Sequence, residues 1–146
     1  MTTTTQTETE NADVARRALE VACSGKDPDA IEEVYSPAFV DHVNSMEHFG
    51  TEGARESVAL YLELFDDLEF RVEEQVIEGE RVASRWTLNG THRGRRVSLW
   101  GIVISRLADG KIVEDWAASD TLGLVRQLGV WRTLLLVANH WRLLRG

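Results

Sequence analysis

The sequence contains a single cysteine, Cys23, among its 146 residues. One cysteine excludes a disulfide within the chain, and no group of cysteines and histidines has the spacing of a zinc site. A chain of this length needs neither in order to fold, because it removes roughly 68–70% of its unfolded surface from water. We therefore expect a cytoplasmic protein in which Cys23 is a small buried apolar residue rather than a nucleophile.

Basic residues and long apolar runs are also scarce. The chain has 16 lysines and arginines against 24 aspartates and glutamates, a formal net charge of −8 at pH 7. That charge repels a phosphate backbone, and no basic stripe with interleaved aromatic residues offsets it, which argues against nucleic-acid binding. No apolar run approaches the roughly 20 residues of a membrane span. Residues 1–10 lack the pattern of a signal peptide and are predicted to be a disordered tail.

Helical periodicity fills the first half of the chain. Apolar residues recur at three- and four-residue spacing between Asn11 and Ser24, and again in a short segment after Pro28. The clearest helix begins at Thr51. Between the second and third helices, residues 38–42 lead into a segment that we interpret as a polar loop ending at Gly50.

Alternation replaces helical spacing after residue 67. The pattern predicts strands at 70–77, 81–92, 96–107 and 111–117, with Asp109-Gly110 as the strongest hairpin signal. The third strand is apolar on both faces, which predicts a central strand covered from two sides. A short helix capped by Ser119 or Asp120 then ends at Gly129.

This order of elements predicts one α+β domain over residues 11–129, in which N-terminal helices pack on a strongly bent, mainly antiparallel sheet. Residues 130–146 are predicted to form an extra C-terminal helix that is apolar nearly all round. Such a helix needs cover. Its own domain, a second copy of the chain in a homodimer, a partner protein or a membrane surface would each supply it.

Three segments resemble the SnoaL-like polyketide cyclases, an ester cyclase family. They are the stretch Asn89 to Gly94, the hairpin Ser105 to Trp116 and the ending Asp120 to Gly129. The resemblance is ordered along the chain and extends from about Asn11 to Gly129. The most specific part is the run DGKIVE-W followed by D, L and QLG.

The resemblance implies a cone fold like that of ketosteroid isomerase and the nuclear transport factors, with helices closing a bent sheet around a deep pocket. It also implies chemistry without a metal or an organic cofactor. In the cyclases an aspartate removes an acidic proton from a polyketide ester, and the carbanion then closes a ring. The aligned base position is Ala117, and the assisting histidine falls at Val103. Related tailoring enzymes, such as hydroxylases of polycyclic substrates, therefore also become candidates.

Four residues are the candidate acid/base groups. Asp115 shares the strand parity of Ala117, and Asp120 matches a recurrent aspartate of the family motif, although Asp120 equally fits a helix cap. His92 lies in the matched GTH-G segment, and His42 follows the helical half at a position where cone-fold enzymes often place a polar group. Each histidine also fits a structural role.

Six further residues are candidates for substrate binding. Arg85 and Arg106 lie in strands with apolar neighbours, so each is expected to need a carboxylate partner. Aromatic side chains that could form a slot for a flat ring are Tyr61, Trp86, Trp100 and Trp116. We expect one or two of these four to touch the ligand and the others to be core.

Three functions remain open on the sequence alone. The first is a cofactor-free enzyme acting on an aromatic, polyketide-like small molecule in secondary metabolism, as a cyclase, hydroxylase or isomerase. The second is a water-adding enzyme similar to limonene epoxide hydrolase, although the position aligned with that enzyme's strand aspartate is Ala83. The third is a binding protein that holds such a molecule without changing it.

Overall fold

The computed structural model describes residues 2–139. In this range the chain forms α1 (Thr2–Arg17), a π-helical segment (Ala18–Cys23), α2 (Ala30–Val34), β1 (Tyr35–Val43), β2 (Met46–Phe49), α3 (Gly50–Leu64), β3 (Asp66–Glu78), β4 (Arg81–His92), β5 (Arg95–Ala108), β6 (Lys111–Ser119), α4 (Thr121–Leu128) and α5 (Val130–Asn139).

The first helix begins nine residues before the predicted start. Residues 2–10, which we expected to be a disordered tail, are helical in the structure. The Glu8 carboxylate accepts a hydrogen bond of 3.0 Å from the backbone N–H of Gly79, in the turn between β3 and β4. The later turns of α1 already pack on the sheet, so residues 2–10 extend an existing helix. Extension avoids the free-energy cost of nucleating a new helix.

The six strands form one curved, unclosed sheet in the order β2-β1-β6-β5-β4-β3. All neighbouring strands are antiparallel except β1 and β6, which are parallel. The predicted α+β cone architecture is therefore confirmed. The segment after residue 42 differs from the prediction, because β2 replaces the expected polar loop. Asn44 and Ser45 join β1 to β2 and both have positive φ, as a two-residue hairpin turn requires.

The sheet buries only its inner face. Along β4 every second side chain from Val82 to His92 is buried, and the same alternation holds on β5. The expectation that β5 is covered from two sides is wrong. Its outward-facing residues Trp100, Ile102 and Ile104 are 50%, 43% and 41% exposed. The helices cover only the inner face of the sheet. The outward-facing apolar side chains of β5 are therefore exposed to water.

The two C-terminal helices differ in how they are held. Leu128 of α4 is buried, and Leu136 of α5 packs against the core beside α4, whereas Trp131 is 82% exposed. No single helix in residues 2–139 is long and apolar enough to cross a bilayer. The pair α4 and α5 passes that test only together, and it is bent by 112°. Residues 140–146 of the predicted C-terminal extension lie outside the described part of the chain.

Gly101 of β5 provides a test of how closely the inner face is packed. The Trp86 indole lies against it, and a Cβ added at residue 101 would overlap both the indole ring and the Ala118 carbonyl oxygen. We predict that Gly101→Ala lowers the free energy of unfolding by about 1–3 kcal/mol, the usual cost of overpacking. Urea denaturation of wild type and Gly101→Ala measures this change in the free energy of unfolding. Ser98→Ala, at an exposed position of the same strand, should change it by less than about 0.5 kcal/mol.

Candidate functional site

A cavity of about 60 Å³ lies between the helices and the inner face of the sheet, and we call it the inner cavity. Half of its lining side chains carry a polar group: Cys23, Tyr35, Asp41, Ser57, Tyr61 and Asp115. The others are apolar: Leu19, Val43, Phe70, Trp86, Val103 and Ala117. The inner cavity therefore combines an apolar wall with two carboxyl groups.

The inner cavity is small in this conformation. Sites that hold drug-sized ligands measure about 300–1,000 Å³, so a polycyclic ligand requires the surrounding side chains to repack. Part of the wall is irregular, because Leu19 and Cys23 come from the π-helical segment. Single π-helical turns within α-helices often occur at functional sites.

Asp115 is the most buried carboxyl group of the site. Its residue is 7% exposed, and its Oδ1 atom has no hydrogen-bond partner among the described residues. Burial raises the pKa of Asp115 to about 8, and the nearby Asp41 adds to the rise, while a hydrogen bond with Ser105 opposes it. Ser105 lies directly opposite on β5. At neutral pH this carboxyl group is mainly protonated.

Asp41 is a second carboxyl group in the inner cavity that our sequence analysis did not select. It lies on β1 directly beside Asp115, because the two residues are partners in the parallel pairing of β1 with β6. Burial raises its pKa to about 6, against the opposing charges of His48 and His42. The signal in the sequence is parity: on an extended strand Asp41 shares the inward face of Phe39, which is 2% exposed.

Cys23, Tyr35 and Tyr61 are the neutral polar groups of the inner cavity. The Cys23 Sγ and Tyr35 Oη atoms are 3.6 Å apart, within hydrogen-bonding range for sulfur. Burial raises the pKa of Cys23 and of Tyr61 to about 12, and it raises the pKa of Tyr35 as well. All three therefore stay protonated at neutral pH, and a reactive thiolate at Cys23 is disfavoured.

Two of the four predicted aromatic contacts, Tyr61 and Trp86, line the inner cavity. Phe70 holds both from one side. Its ring centroid is 5.7 Å from that of Tyr61 and 5.1 Å from that of Trp86, and both pairs are edge-to-face. This geometry is favourable for aromatic rings and fixes one wall of the inner cavity.

The other predicted strand residues lie on the outer face of the sheet. Arg85 pairs with Glu74 at 3.1 Å and Arg106 pairs with Glu114 at 3.0 Å, so each arginine has the carboxylate partner that its position required. Trp100 and Trp116 are 50% and 39% exposed. None of these four lines the inner cavity.

His42 is also on the outer face. Its two ring nitrogens each lie 3.0 Å from a carboxylate oxygen, one of Glu47 and one of Glu114, and its ring stacks on Trp116. The hydrogen bond with Glu114, joined by that with Glu47, raises the pKa of His42. These residues form an ion-pair network on the face of the sheet opposite the inner cavity.

His92 and Asp120 have local structural contacts. His92 is buried, and its Nδ1 atom is 2.7 Å from the Leu64 carbonyl oxygen, so the ring links β4 to the end of α3. Asp120 caps α4 by accepting a hydrogen bond of 2.9 Å from the Gly123 N–H. The structure therefore brings Asp115, Tyr61 and Trp86 together and leaves the other seven predicted residues outside the inner cavity.

No group of three or more His, Cys, Asp or Glu side chains suited to hold a metal ion occurs within residues 2–139. The model of the SnoaL-like polyketide cyclases matches residues 12–128. The chain belongs to this family. A comparison with curated protein sequences found no match.

Solved structures similar to this SnoaL-like chain include two from Streptomyces. IdmH from Streptomyces antibioticus, provisionally named a polyketide cyclase, is 25% identical with a TM-score of 0.73, over 82% of this chain and 98% of IdmH. AclR from Streptomyces galilaeus, provisionally named a hydroxylase, is 27% identical with a TM-score of 0.70, over 84% of this chain and 97% of AclR. A Catenulispora acidiphila protein with a ketosteroid isomerase-like fold is 13% identical, with a TM-score of 0.69 over 81% and 91% of the chains, and shows the fold alone.

Val103 and Ala117 both line the inner cavity of this SnoaL-like chain. They stand where our alignment puts the histidine and the aspartate of the cyclases, so those two positions are apolar here. The two carboxyl groups of the inner cavity lie at other positions. Asp115 lies two residues before Ala117 on the same face of β6, and Asp41 lies beside Asp115 on β1.

The raised pKa of Asp115 predicts a pH-dependent contribution to stability. The group goes from an ordinary value of 3.8 to about 8 on folding, so the folded chain holds an extra proton between these limits. This stabilisation is complete below about pH 4 and is lost as the pH rises to 8, by up to about 1.4 kcal/mol per pH unit. Asp115→Asn removes the titration.

Urea denaturation of both proteins at pH 5, 6, 7 and 8 checks this. The free energy of unfolding of wild type minus that of Asp115→Asn should fall steadily across the series. Asp109→Asn is the matched control, because it makes the same change in an exposed turn where asparagine also adopts positive φ. Parallel curves for wild type and Asp115→Asn would show that Asp115 has an ordinary pKa in the folded chain.

Proposed function

We propose that the protein is a cofactor-independent acid/base enzyme that removes a proton next to a carbonyl group of an aromatic, polyketide-type molecule in secondary metabolism. The observation that carries this proposal is the Asp115 carboxyl group, buried in the inner cavity with an oxygen that no described residue engages. A buried polar atom without a partner is costly, so its presence in a side chain that lines a cavity needs an explanation, and a catalytic role is one.

The composition of the inner cavity supports this chemistry. An enolate forms when a base removes a proton from the carbon beside a carbonyl, and its oxygen needs a hydrogen-bond donor in a site that excludes water. The inner cavity supplies carboxyl groups, neutral donors at Tyr35 and Tyr61, and the apolar face of Trp86. The two Streptomyces structures, provisionally named a cyclase and a hydroxylase, favour a tailoring step of this kind.

A second candidate function is binding without catalysis. It is favoured by one observation, namely that the positions aligned with the cyclase base and histidine, Ala117 and Val103, are both apolar. A binding protein would still hold the ligand in the inner cavity, because the aromatic side chains of the wall contact a ligand whether or not it reacts. Turnover distinguishes the two functions, since only the enzyme changes the ligand.

The test of the enzymatic function is exchange of α-protons in deuterated buffer. Aromatic polyketide esters with acidic C–H groups are incubated with the protein, and deuterium uptake and ring closure are followed by mass spectrometry and NMR. We expect catalysed exchange by wild type and a loss of at least about 100-fold in Asp115→Leu, which keeps the branched shape and the number of heavy atoms and removes the acid/base group. Asp109→Asn should retain wild-type rates. Ligand binding without exchange by wild type would instead support the binding protein.

We also propose that two copies of the chain associate through the outer face of β5 and β6. Ile104 and Trp116 are partners across these strands, and with Trp100 and Ile102 they form an exposed apolar patch. Arg106 and Glu114 stand at its edge, so the patch carries both signs of charge. A twofold contact places a patch against itself, and an apolar centre with both signs at its edge is complementary to itself.

Sedimentation velocity over a range of protein concentrations tests this association. Wild type should sediment with twice the mass of one chain, and Ile104→Asp should sediment as a monomer, because the dimer would bury an unpaired charge. Leu62→Asp is the matched control. Leu62 is 45% exposed, close to the 41% of Ile104, but it lies on α3 on the other side of the sheet. A monomeric wild type would contradict the proposal.

A further inference from the structure

Asp41 and Asp115 form a pair of carboxyl groups at the same level of the inner cavity. They are direct neighbours on the parallel strands β1 and β6, and both side chains line the inner cavity. Their charges interact, because each carboxylate makes it harder to ionise the other. Two neighbouring carboxyl groups do not readily hold two negative charges, so at intermediate pH the pair holds one proton.

The two surroundings decide which partner keeps the proton. Asp115 is the more buried, and it faces Cys23, Tyr35 and Tyr61, none of which supplies a positive charge. Asp41 is only partly buried. The charges of His48 on β2 and of His42 on its own strand both favour its ionised form. The pKa of Asp115 is accordingly about 8 and that of Asp41 about 6.

We propose that the two carboxyl groups divide the chemistry, with Asp41 as the base that removes the proton and Asp115 as the protonated donor that hydrogen-bonds the developing enolate oxygen. This assignment rests on the proposed function. It adds a catalytic residue, Asp41, that lies on a different strand from the aligned base position at Ala117. It also makes Asp115 the acid of the pair rather than the base.

The step balances without any other reactant. The α-carbon to hydrogen bond breaks, and the proton passes to the Asp41 carboxylate. The bonding electrons form the carbon–carbon double bond of the enolate, whose oxygen accepts a hydrogen bond from Asp115. The carbanion then takes the proton back at another position, or it attacks a second carbonyl carbon and the new alkoxide takes the proton from Asp41.

The assignment specifies the class of substrate. The carbonyl oxygen must reach the deep end of the inner cavity at Asp115, while the α-carbon faces Asp41, one strand spacing away. In neighbouring strands that spacing is about 4.8 Å, which suits a carbonyl oxygen and the proton on its adjacent carbon. A compound whose acidic carbon lies between two carbonyl groups fits best, because its proton is within range of a weak base such as a carboxylate.

The pH profile of turnover is the first test. The active form has Asp41 ionised and Asp115 protonated, so kcat/KM should be bell-shaped with limbs near pH 6 and pH 8. Cys23, Tyr35 and Tyr61, which also face the pair, stay protonated through this range because their pKa values are higher. A profile that rises to a plateau above pH 8 would overturn the assignment, since an ionised Asp115 would then be active.

Substitutions separate the two roles. An asparagine side chain keeps a hydrogen-bond donor but cannot accept a proton. Asp115→Asn should therefore lose less than about tenfold in kcat/KM and should lose the alkaline limb, whereas Asp41→Asn should lose at least about 1,000-fold. Asp109→Asn remains the control. The reverse ranking would show that Asp115 is the base, and would overturn this proposal while leaving the proposed function intact.

A measurement without substrate keeps the proposal testable if a variant folds poorly. Wild-type protein labelled with ¹³C at the aspartate carboxyl carbons is titrated by NMR, which shows the carboxyl groups of raised pKa without any variant. Either Asp41→Asn or Asp115→Asn, whichever folds, then assigns the two resonances, because it removes one of them. We expect one carboxyl group to titrate near pH 6 and the other near pH 8. If both titrate below pH 5, the pair shares no proton and the assignment is wrong. If the titration is as expected but no carbonyl compound exchanges its α-protons, the proposed function has failed instead.

Discussion

The burial of the Asp115 carboxyl group is the constraint on which the site depends. A carboxylate in an apolar interior loses the water that solvates it, so the folded chain favours the neutral acid. A hydrogen bond with Ser105 opposes this effect, while the Oδ1 atom has no partner among the described residues, in a side chain that lines the inner cavity. A neutral acid held in this way donates a hydrogen bond at neutral pH, a role that exposed aspartates cannot fill.

The parallel pairing of β1 with β6 gives this acid its partner. Among the strands of residues 2–139 it is the one parallel contact, and it places Asp41, which precedes Asp115 by more than seventy residues, directly beside it. The hairpin turn at Asn44-Ser45 sends the chain back along the edge as β2, where His48 lies opposite Asp41. The same backbone arrangement thus sets both the distance between the carboxyl groups and the charge near one of them.

The one-sided sheet explains where the remaining polar strand residues lie. The helices cover the inner face, so residues of opposite parity on the same strands meet water. There Arg85, Arg106 and His42 find carboxylate partners on neighbouring strands. Exposed ion pairs of this kind contribute little to stability, about 0–1 kcal/mol each. They keep charge on the outer face, next to the exposed apolar residues of β5 and β6.

Sequence alone determined most helices and strands. A helix repeats every 3.6 residues and a strand every two, and the spacing of apolar residues along the chain shows which period applies. It fixed the bounds of β4, the hairpin at Asp109-Gly110, the inward parity of Asp115 and the family resemblance. Tertiary structure decided which side of each strand the helices would cover and which strands would be neighbours. Strand alternation defines two faces and cannot say which one is buried when both are apolar, as on β5. Nor does it reveal a parallel partner far along the chain, so the pairing of Asp41 with Asp115 emerged only from the folded sheet.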